Sequence, residues 1–318
     1  MMPILFNIPF VGWPIYSYGL MMVVGFLASI QLGKYLARRC GFDPEIFVNV
    51  GLIALITGVL GARLSHVLEN LPQYTDASRS FRQNLWDAIN IRSGGLTYYG
   101  GFLLAFPSLV YYAIKKRIPL RLGMDMVAPC LMLGLAFGRI GCFLNGCCYG
   151  ATSEVPWAVT YPYASIPYTD QVKEGALAAP PELITVDEKR DRLVEPAELR
   201  ARPVLAEIAA HERSLPMHPA QLYSSLTAFL ICALCLAYFT LPHATGRVFA
   251  LMLMVEGITR YLLELLRVEP PVVHVAGYGL SLSMVLGISF VALGIVLWIL
   301  FAKRSHEPAP GFPIAATT

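Results

Sequence analysis

The sequence predicts an all-α integral membrane protein with about seven transmembrane helices. Its N-terminus is expected outside, its C-terminus in the cytoplasm, and an extracytoplasmic cap between spans four and five. Three observations predict this. The 318-residue chain is 56% hydrophobic and only 14% charged, with mean hydropathy +0.58, whereas soluble domains carry about a quarter charged residues. Its apolar residues fall in blocks of roughly 20, the length that crosses a hydrocarbon core of about 30 Å. Basic residues gather in alternate loops, which gives the blocks a direction.

The spans follow in order: Tyr16–Ala37, Ile46–Glu69, Leu96–Ile114, Leu122–Leu144, Pro219–Phe239, Arg247–Leu266 and Tyr278–Phe301. Each is expected to be a helix, because lipid offers backbone N–H and C=O groups no partner. Lys34, Arg38 and Arg39 follow span one; Lys115, Lys116, Arg117 and Arg121 separate spans three and four. Arg247 follows span five, and Lys303 and Arg304 follow span seven. All land on one side, which the positive-inside rule makes cytoplasmic. Arg79, Arg82, Arg92 and Arg267 occupy the other side more thinly. No cleavable signal peptide is expected, since no positive segment precedes the first apolar run, which continues from Pro14 to Lys34. The expected organisation is spans one to four in 1–160, a cap in 161–217, spans five to seven in 218–304, and a cytoplasmic tail in 305–318.

The cap is the one soluble-looking stretch. Mixed charge fills Val186–Arg202, with Pro180, Pro181, Pro196 and Pro203 around it, and Glu195–Arg213 has the composition of a short amphipathic helix. It reads as a solvated cap or a substrate-docking element. No internal or inverted repeat is present, and the spans lack the matched interruptions of transporters.

Charges inside spans cost about 3 kcal/mol on insertion scales, so they carry a job or a partner. Arg63 lies late in span two, Arg139 late in span four and Arg260 in the outer half of span six. Even-numbered spans run from inside to outside, so all three approach the outer leaflet. Glu256, Arg260 and Glu264 share one helix face by their i, i+4, i+8 spacing. Either Glu264 neutralises Arg260 internally, or the arginines hold an anion that enters from the bilayer. Guanidinium matches phosphate in a bidentate fork, which favours a phosphate-bearing lipid.

Glycines surround Arg139 in the run Gly138-Arg139-Ile140-Gly141-Cys142-Phe143-Leu144-Asn145-Gly146-Cys147-Cys148-Tyr149-Gly150. A second cluster, Ser93-Gly94-Gly95-Leu96-Thr97-Tyr98-Tyr99-Gly100-Gly101, opens span three at the same face. Dense glycine lets a backbone approach closely, and both clusters are expected to line a site, with helix packing as the alternative. His218-Pro219-Ala220-Gln221-Leu222-Tyr223 enters span five from that face, with Pro219 suited to a first helical turn.

On these motifs the chain resembles the prolipoprotein diacylglyceryl transferases of bacteria. The resemblance runs from Tyr18-Gly19-Leu20-Met21 to Arg267 and is weakest in the long loop and span seven. Its most specific part is Gly138-Arg139-x-Gly-x-Phe-x-Asn145-Gly146 with Gly150; Gly61-Ala62-Arg63, His218-Pro219-x-Gln221-Leu222-Tyr223 and Arg260-x3-Glu264-x2-Arg267 match in order and spacing. It implies seven spans, a bacterial inner-membrane location, and an active face toward the periplasm. It also implies the reaction: the diacylglyceryl group of phosphatidylglycerol moves to the thiol of a lipobox cysteine in a prolipoprotein signal peptide, and glycerol phosphate leaves. Membrane lipids and these peptides are the implied partners; nucleic acid is not.

By the resemblance, Arg139 and Arg260 stabilise headgroup and leaving group. Arg63, Tyr18, Asn145, Gly150, Glu264, Arg267, His218, Gln221 and Tyr223 support substrate binding. Four positions depart from the family pattern. Tyr99 stands where the family carries histidine in its Gly-Gly-x-Ser-Phe-His-Gly-Gly loop, Cys142 and Cys147 replace an asparagine and a glutamate, and Met284 falls near an expected glutamine. Tyrosine is a weak base at neutral pH. His66, one turn after Arg63, is a candidate compensating base by spacing alone, and His218 is another.

The seven cysteines divide into two groups. Cys40, Cys130, Cys232 and Cys235 read as small apolar filler. Cys142, Cys147 and Cys148 lie near the oxidising face, where a disulfide or free thiols are expected. A closed metal site needs four ligands, and no fourth is evident, so neither metal nor other cofactor is expected. Two competing readings remain at the sequence level: a membrane thiol–disulfide oxidoreductase with bound quinone, and a lipid or solute transporter. A non-catalytic or altered-substrate paralogue is the third.

Overall fold

The computed structural model describes residues 4–7, 14–75, 80–90, 94–95, 97–186, 191–199, 201–267, 272–275 and 278–304. Arg79, Arg92, Ser93, Leu96 and the 305–318 tail, which figure in the sequence reading, lie outside them. The long helices are α1 (Ser17–Arg39), α2 (Glu45–Glu69), α5 (Tyr98–Lys115), α6 (Leu120–Asn145), α10 (Ala220–Phe239), α11 (Arg247–Glu264) and α12 (Leu282–Arg304). Shorter helices are α3 (Leu71–Tyr74), α4 (Phe81–Ile89), α7 (Ile166–Lys173), α8 (Pro196–Leu199) and α9 (Pro203–His211).

Among the described residues, five helices are long and apolar enough to cross a membrane: α1, α2, α6, α10 and α12. Composition explains why α5 and α11 fall short. Helix α5 carries Tyr98, Tyr99, Tyr111 and Tyr112 with Pro107, and α11 carries Arg247, Glu256, Arg260 and Glu264. Expected boundaries shift by a few residues. The last span begins at Leu282 rather than Tyr278, because Tyr278–Leu280 (β6) pairs with Val273–Val275 (β5) as an antiparallel hairpin. Two further hairpins, Ile4–Asn7 (β1) with Pro14–Tyr16 (β2) and Ile184–Val186 (β3) with Asp191–Leu193 (β4), qualify the all-α expectation.

Packing runs from helix to helix: α5 on α2, α2 on α1, α1 on α6, α6 on α10, α10 on α11, and α11 on both α12 and α6. Lipid is as apolar as leucine, so small residues and close backbone approach hold such helices together. At the α2–α5 crossing a Cβ on Gly61 would stand 2.3 Å from the Gly100 carbonyl oxygen. Gly100 and Gly101 therefore serve packing, a correction to the expectation that the whole second glycine cluster lines a site. Leu52, Leu55, Ile56, Leu60, Leu64 and Leu68 stay exposed along α2, the face a bilayer would cover. Buried Leu36, Phe47, Leu122, Met126, Ile231, Phe239 and Val248 form the main core of α1, α2, α6, α10 and α11.

The stretch expected as a solvated cap is a folded unit with its own core. Leu183, Val194, Leu199 and Ala209 pack together, and Tyr163 donates to the Val194 carbonyl at 2.9 Å. Fully buried Tyr161 and Tyr168 tie it down. The expected amphipathic helix in Glu195–Arg213 is present as α8 and α9.

Candidate active site

The site grows from the end of α6. Gly146 adopts φ +79 and closes the helix in a Schellman turn: Gly146 N donates to the Phe143 carbonyl and Cys147 N to the Cys142 carbonyl. That turn sets the side chains just beyond the helix against those within its last turn, so Cys142 and Cys147 meet. Cys148 also takes a left-handed backbone, φ 57, unusual for a residue with a Cβ. The three sulfurs end within 4.8 Å of one another, and all three cysteines are free.

The chain then threads between the start of α10 and the end of α11. Gly150 N donates to the His218 carbonyl at 3.1 Å, Ala151 N to the Leu266 carbonyl at 2.8 Å, and His218 N to the Ala151 carbonyl at 2.9 Å. No side chain fits at Gly150, where a Cβ would meet His218 and Leu266 backbone oxygens at 2.9 Å each. Gln221, fully buried, anchors the loop by donating Nε2 to the Cys147 carbonyl at 2.8 Å and to Tyr161 Oη at 3.0 Å. Asn145 reaches the Cys147 thiol, and Tyr18 of α1 stands among the three cysteines and Arg139.

Arg139 of α6 and Arg260 of α11 share a neighbour, Glu256, which feels both. The buried Nε of each arginine meets no acceptor among the described residues. Glu264, offered by spacing as the partner of Arg260, is instead engaged by Ser281 Oγ at 2.8 Å and pairs with Arg267 at 3.6 Å. Arg139 and Arg267 both act on Cys148. The Cys148 thiol is held below its ordinary range, by hydrogen bonds from the Cys142 and Cys147 thiols first and, against burial, by the two arginines. Nearby, burial and a 2.8 Å hydrogen bond to Asp170 push the Tyr149 hydroxyl up.

Arg63 is employed differently. It is 7% exposed and directs four N–H donors to backbone: Nε on Ala88 O at 2.8 Å, Nη2 on Asp87 O at 2.6 Å, and Nη1 on Gly94 O and Gly95 O at 2.7 and 2.8 Å. It clamps the last turn of α4 and the Gly94–Gly95 backbone to α2, and its guanidinium also lies over Tyr74 at 5.5 Å. His66 belongs to this clamp, edge-on to Tyr74 and 3.4 Å from the Asn70 amide. His218 belongs to the site, its Nδ1 3.3 Å from Tyr223 Oη, which accepts from Trp157 Nε1 at 2.6 Å. Tyr99 stands half-exposed in the first turn of α5, close in sequence to Thr97, whose hydroxyl donates to Glu69 at 3.0 Å.

The structure thus brings together Arg139, Arg260, Arg267, Glu264, Tyr18, Asn145, Gly150, His218, Gln221 and Tyr223 through α1, α6, α10 and α11. Arg63 and His66 of α2 make their contacts with α3, α4 and the Gly94–Gly95 backbone. Sequence reasoning grouped Cys142, Cys147 and Cys148 at one face, as a disulfide or free thiols, but missed the turn that makes their sulfurs converge. Its signal was Cys142-x4-Cys147-Cys148 straddling Gly146, the residue pattern of a Schellman turn.

Fold and site together define a multi-pass helical membrane protein with two arginines, each keeping a buried Nε without an acceptor among the described residues, beside a thiol cluster. The profile described as "Prolipoprotein diacylglyceryl transferase" matches residues 3–300, and the chain belongs to that family. Among similar curated proteins, the phosphatidylglycerol–prolipoprotein diacylglyceryl transferase of Clostridium tetani is 27% identical, over 85% of this chain and 87% of the relative. The enzyme of the same name from Xanthomonas axonopodis pv. citri is 28% identical over 95% and 92%. That from Corynebacterium diphtheriae is 28% identical over 92% and 89%.

Proposed function

We propose that this chain transfers the diacylglyceryl group of phosphatidylglycerol to the lipobox cysteine of prolipoprotein signal peptides, forming a thioether. The carrying observation is the Arg139–Arg260 pair, whose buried Nε atoms have no acceptor among the described residues. Buried N–H donors without partners cost about 1–3 kcal/mol each, and a phosphate that accepts from both removes that cost. Donors fixed in a low-dielectric site also stabilise the charge that grows on the leaving group. The incoming sulfur attacks the glyceryl carbon as thiolate; the bond from that carbon to the phosphate oxygen breaks, and glycerol phosphate leaves with the electron pair.

The supporting residues divide by what they hold. Gln221 and Gly150 fix the loop that carries the cysteines, Glu264 orients Arg267, and Tyr18 and Asn145 line the thiol side. His218 with Tyr223, and Tyr99 at the position of the family histidine, are the polar groups offered to the substrate thiol. Arg63 serves through its clamp, with His66 beside it.

In this reading α5 and α11 complete seven spans, with the N-terminus outside, the C-terminus in the cytoplasm and the site toward the periplasm of a bacterial inner membrane. Three of the four charges that lower the hydropathy of α11, Glu256, Arg260 and Glu264, are those assigned to the site, which supports counting it as a span. The unit formed by 161–217 then lies outside as a cap. Rescue of a bacterium depleted of its own transferase tests the function. Growth with this chain, and its loss with inserted Arg139→Ala, is the expected result; no rescue by normally inserted wild type would contradict it.

A further inference from the structure

We propose that Cys142, Cys147 and Cys148 form a three-thiolate site for a soft divalent cation of the zinc type, whose fourth position receives the lipobox thiol. The inference rests on the transferase reading and supplies what that reading lacks, a group that ionises the substrate sulfur.

Geometry comes first. The three sulfurs lie within 4.8 Å of one another. Zinc–sulfur bonds of about 2.3 Å in a tetrahedron need sulfurs about 3.8 Å apart, so a rotamer adjustment closes the gap. The backbone is shaped for this convergence: Gly146 turns the chain back on α6, and Cys148 accepts a left-handed φ of 57. A non-glycine residue in that region costs about 1–2 kcal/mol, and strain of this kind collects at functional sites. The cluster is also supported from outside, because Gln221 holds the Cys147 carbonyl at 2.8 Å. Such supporting bonds orient ligands and tune a metal.

Chemistry selects the ion. Three thiolates favour zinc and monovalent copper over magnesium or calcium. Three thiolates and a dication carry one net negative charge, and Arg139, three residues before Cys142 on α6, supplies positive charge on the same helix face. Among the described residues the cluster contains three ligand atoms from His, Cys, Asp or Glu. That count disfavours a closed structural site. It suits a catalytic one, which keeps a position open for substrate.

The position matters for the reaction. A thiol that coordinates zinc is deprotonated outright. Its sulfur would then sit beside Arg139, the residue assigned to the lipid phosphate. The step balances without a redox change. The substrate S–H bond breaks and its proton passes to water; the sulfur pair forms the S–C bond; the C–O bond to phosphate breaks and its pair stays on glycerol phosphate. The cation keeps its charge throughout. Tyr99, in place of a histidine, then no longer has to act as the base.

Purified full-length chain supplied with zinc, followed by elemental analysis, tests the site. About one zinc per chain is expected, with affinity at least about 10-fold weaker in Cys148→Ser and unchanged in Cys40→Ser. Cobalt(II) in the wild-type chain gives a second readout that does not depend on variant folding. Its thiolate charge-transfer absorption should appear, and its ligand-field bands should shift with a lipobox peptide but not with the same peptide carrying serine. Zinc no higher than in the chain with Cys142→Ser, Cys147→Ser and Cys148→Ser together would overturn the proposal. So would an intact mass two hydrogens light with blocked thiols, the signature of a disulfide. Undiminished diacylglyceryl transfer by chelator-stripped chain would sink the metal role and leave the transferase reading standing. A thiol-responsive cobalt site without transfer from phosphatidylglycerol would do the reverse.

Discussion

At the scale of single residues, two arginines with the same sequence signature do opposite work. Arg63 commits four N–H donors to the carbonyls of Asp87, Ala88, Gly94 and Gly95, whereas Arg139 keeps a buried Nε with no acceptor among the described residues. Hydrogen bonds from charged groups contribute about 1.5–3 kcal/mol each. Arg63→Ala should therefore destabilise the α2–α4 region by about 3 kcal/mol or more, and open 87–95 to proteolysis. Limited proteolysis and thermal unfolding in detergent would measure it, and an unchanged cleavage pattern would refute the clamp. Both arginines read alike in sequence because each is a lone charge late in an even-numbered span. What separates them is the backbone of a loop, and no residue pattern encodes where four carbonyls will point.

At the scale of elements, the bundle carries a charge cluster at the other end of α6. Asp125 is fully buried and accepts from Gly246 N at 2.5 Å and Phe249 N at 3.0 Å, so it caps the start of α11, where negative charge is favourable. His243, in the turn between α10 and α11, stands 3.5 Å from the same carboxylate, at ion-pair distance without hydrogen-bond geometry. Burial and Arg247 oppose its charge; Asp125 and the Leu241 carbonyl overcome them and hold its pKa above 6.5. A folded pKa raised above the unfolded one adds stability below the unfolded value and loses it as pH rises through the folded one. Thermal stability should thus fall as pH climbs above about 6.5, and His243→Gln should flatten that fall; an equal slope in the variant would contradict the assignment. Helix identity was legible from block length and glycine or proline punctuation. The hairpins were not, since strands of three or four residues carry no usable period.

At the scale of the whole molecule, the order of packing brings distant motifs together. Helix α6 touches α1, α10 and α11, so Tyr18, Arg139, His218, Gln221 and Arg260 converge although they span most of the sequence. The arginines and the signature loop were legible because charge and dense glycine are costly inside a membrane. The core of the 161–217 unit was hidden by its charged surface, and the close approach of the three grouped thiols by a turn whose meaning lies in three dimensions. The central claim is that this assembly moves a diacylglyceryl group from phosphatidylglycerol to a peptide thiol. Purified chain in liposomes of phosphatidylglycerol, given a lipobox peptide and followed by mass spectrometry, tests it most directly. The peptide should gain the mass of one diacylglyceryl group on its cysteine, through a bond that survives thioester cleavage, and gain none in liposomes lacking phosphatidylglycerol. An unmodified peptide, with the chain folded and inserted, would contradict the account.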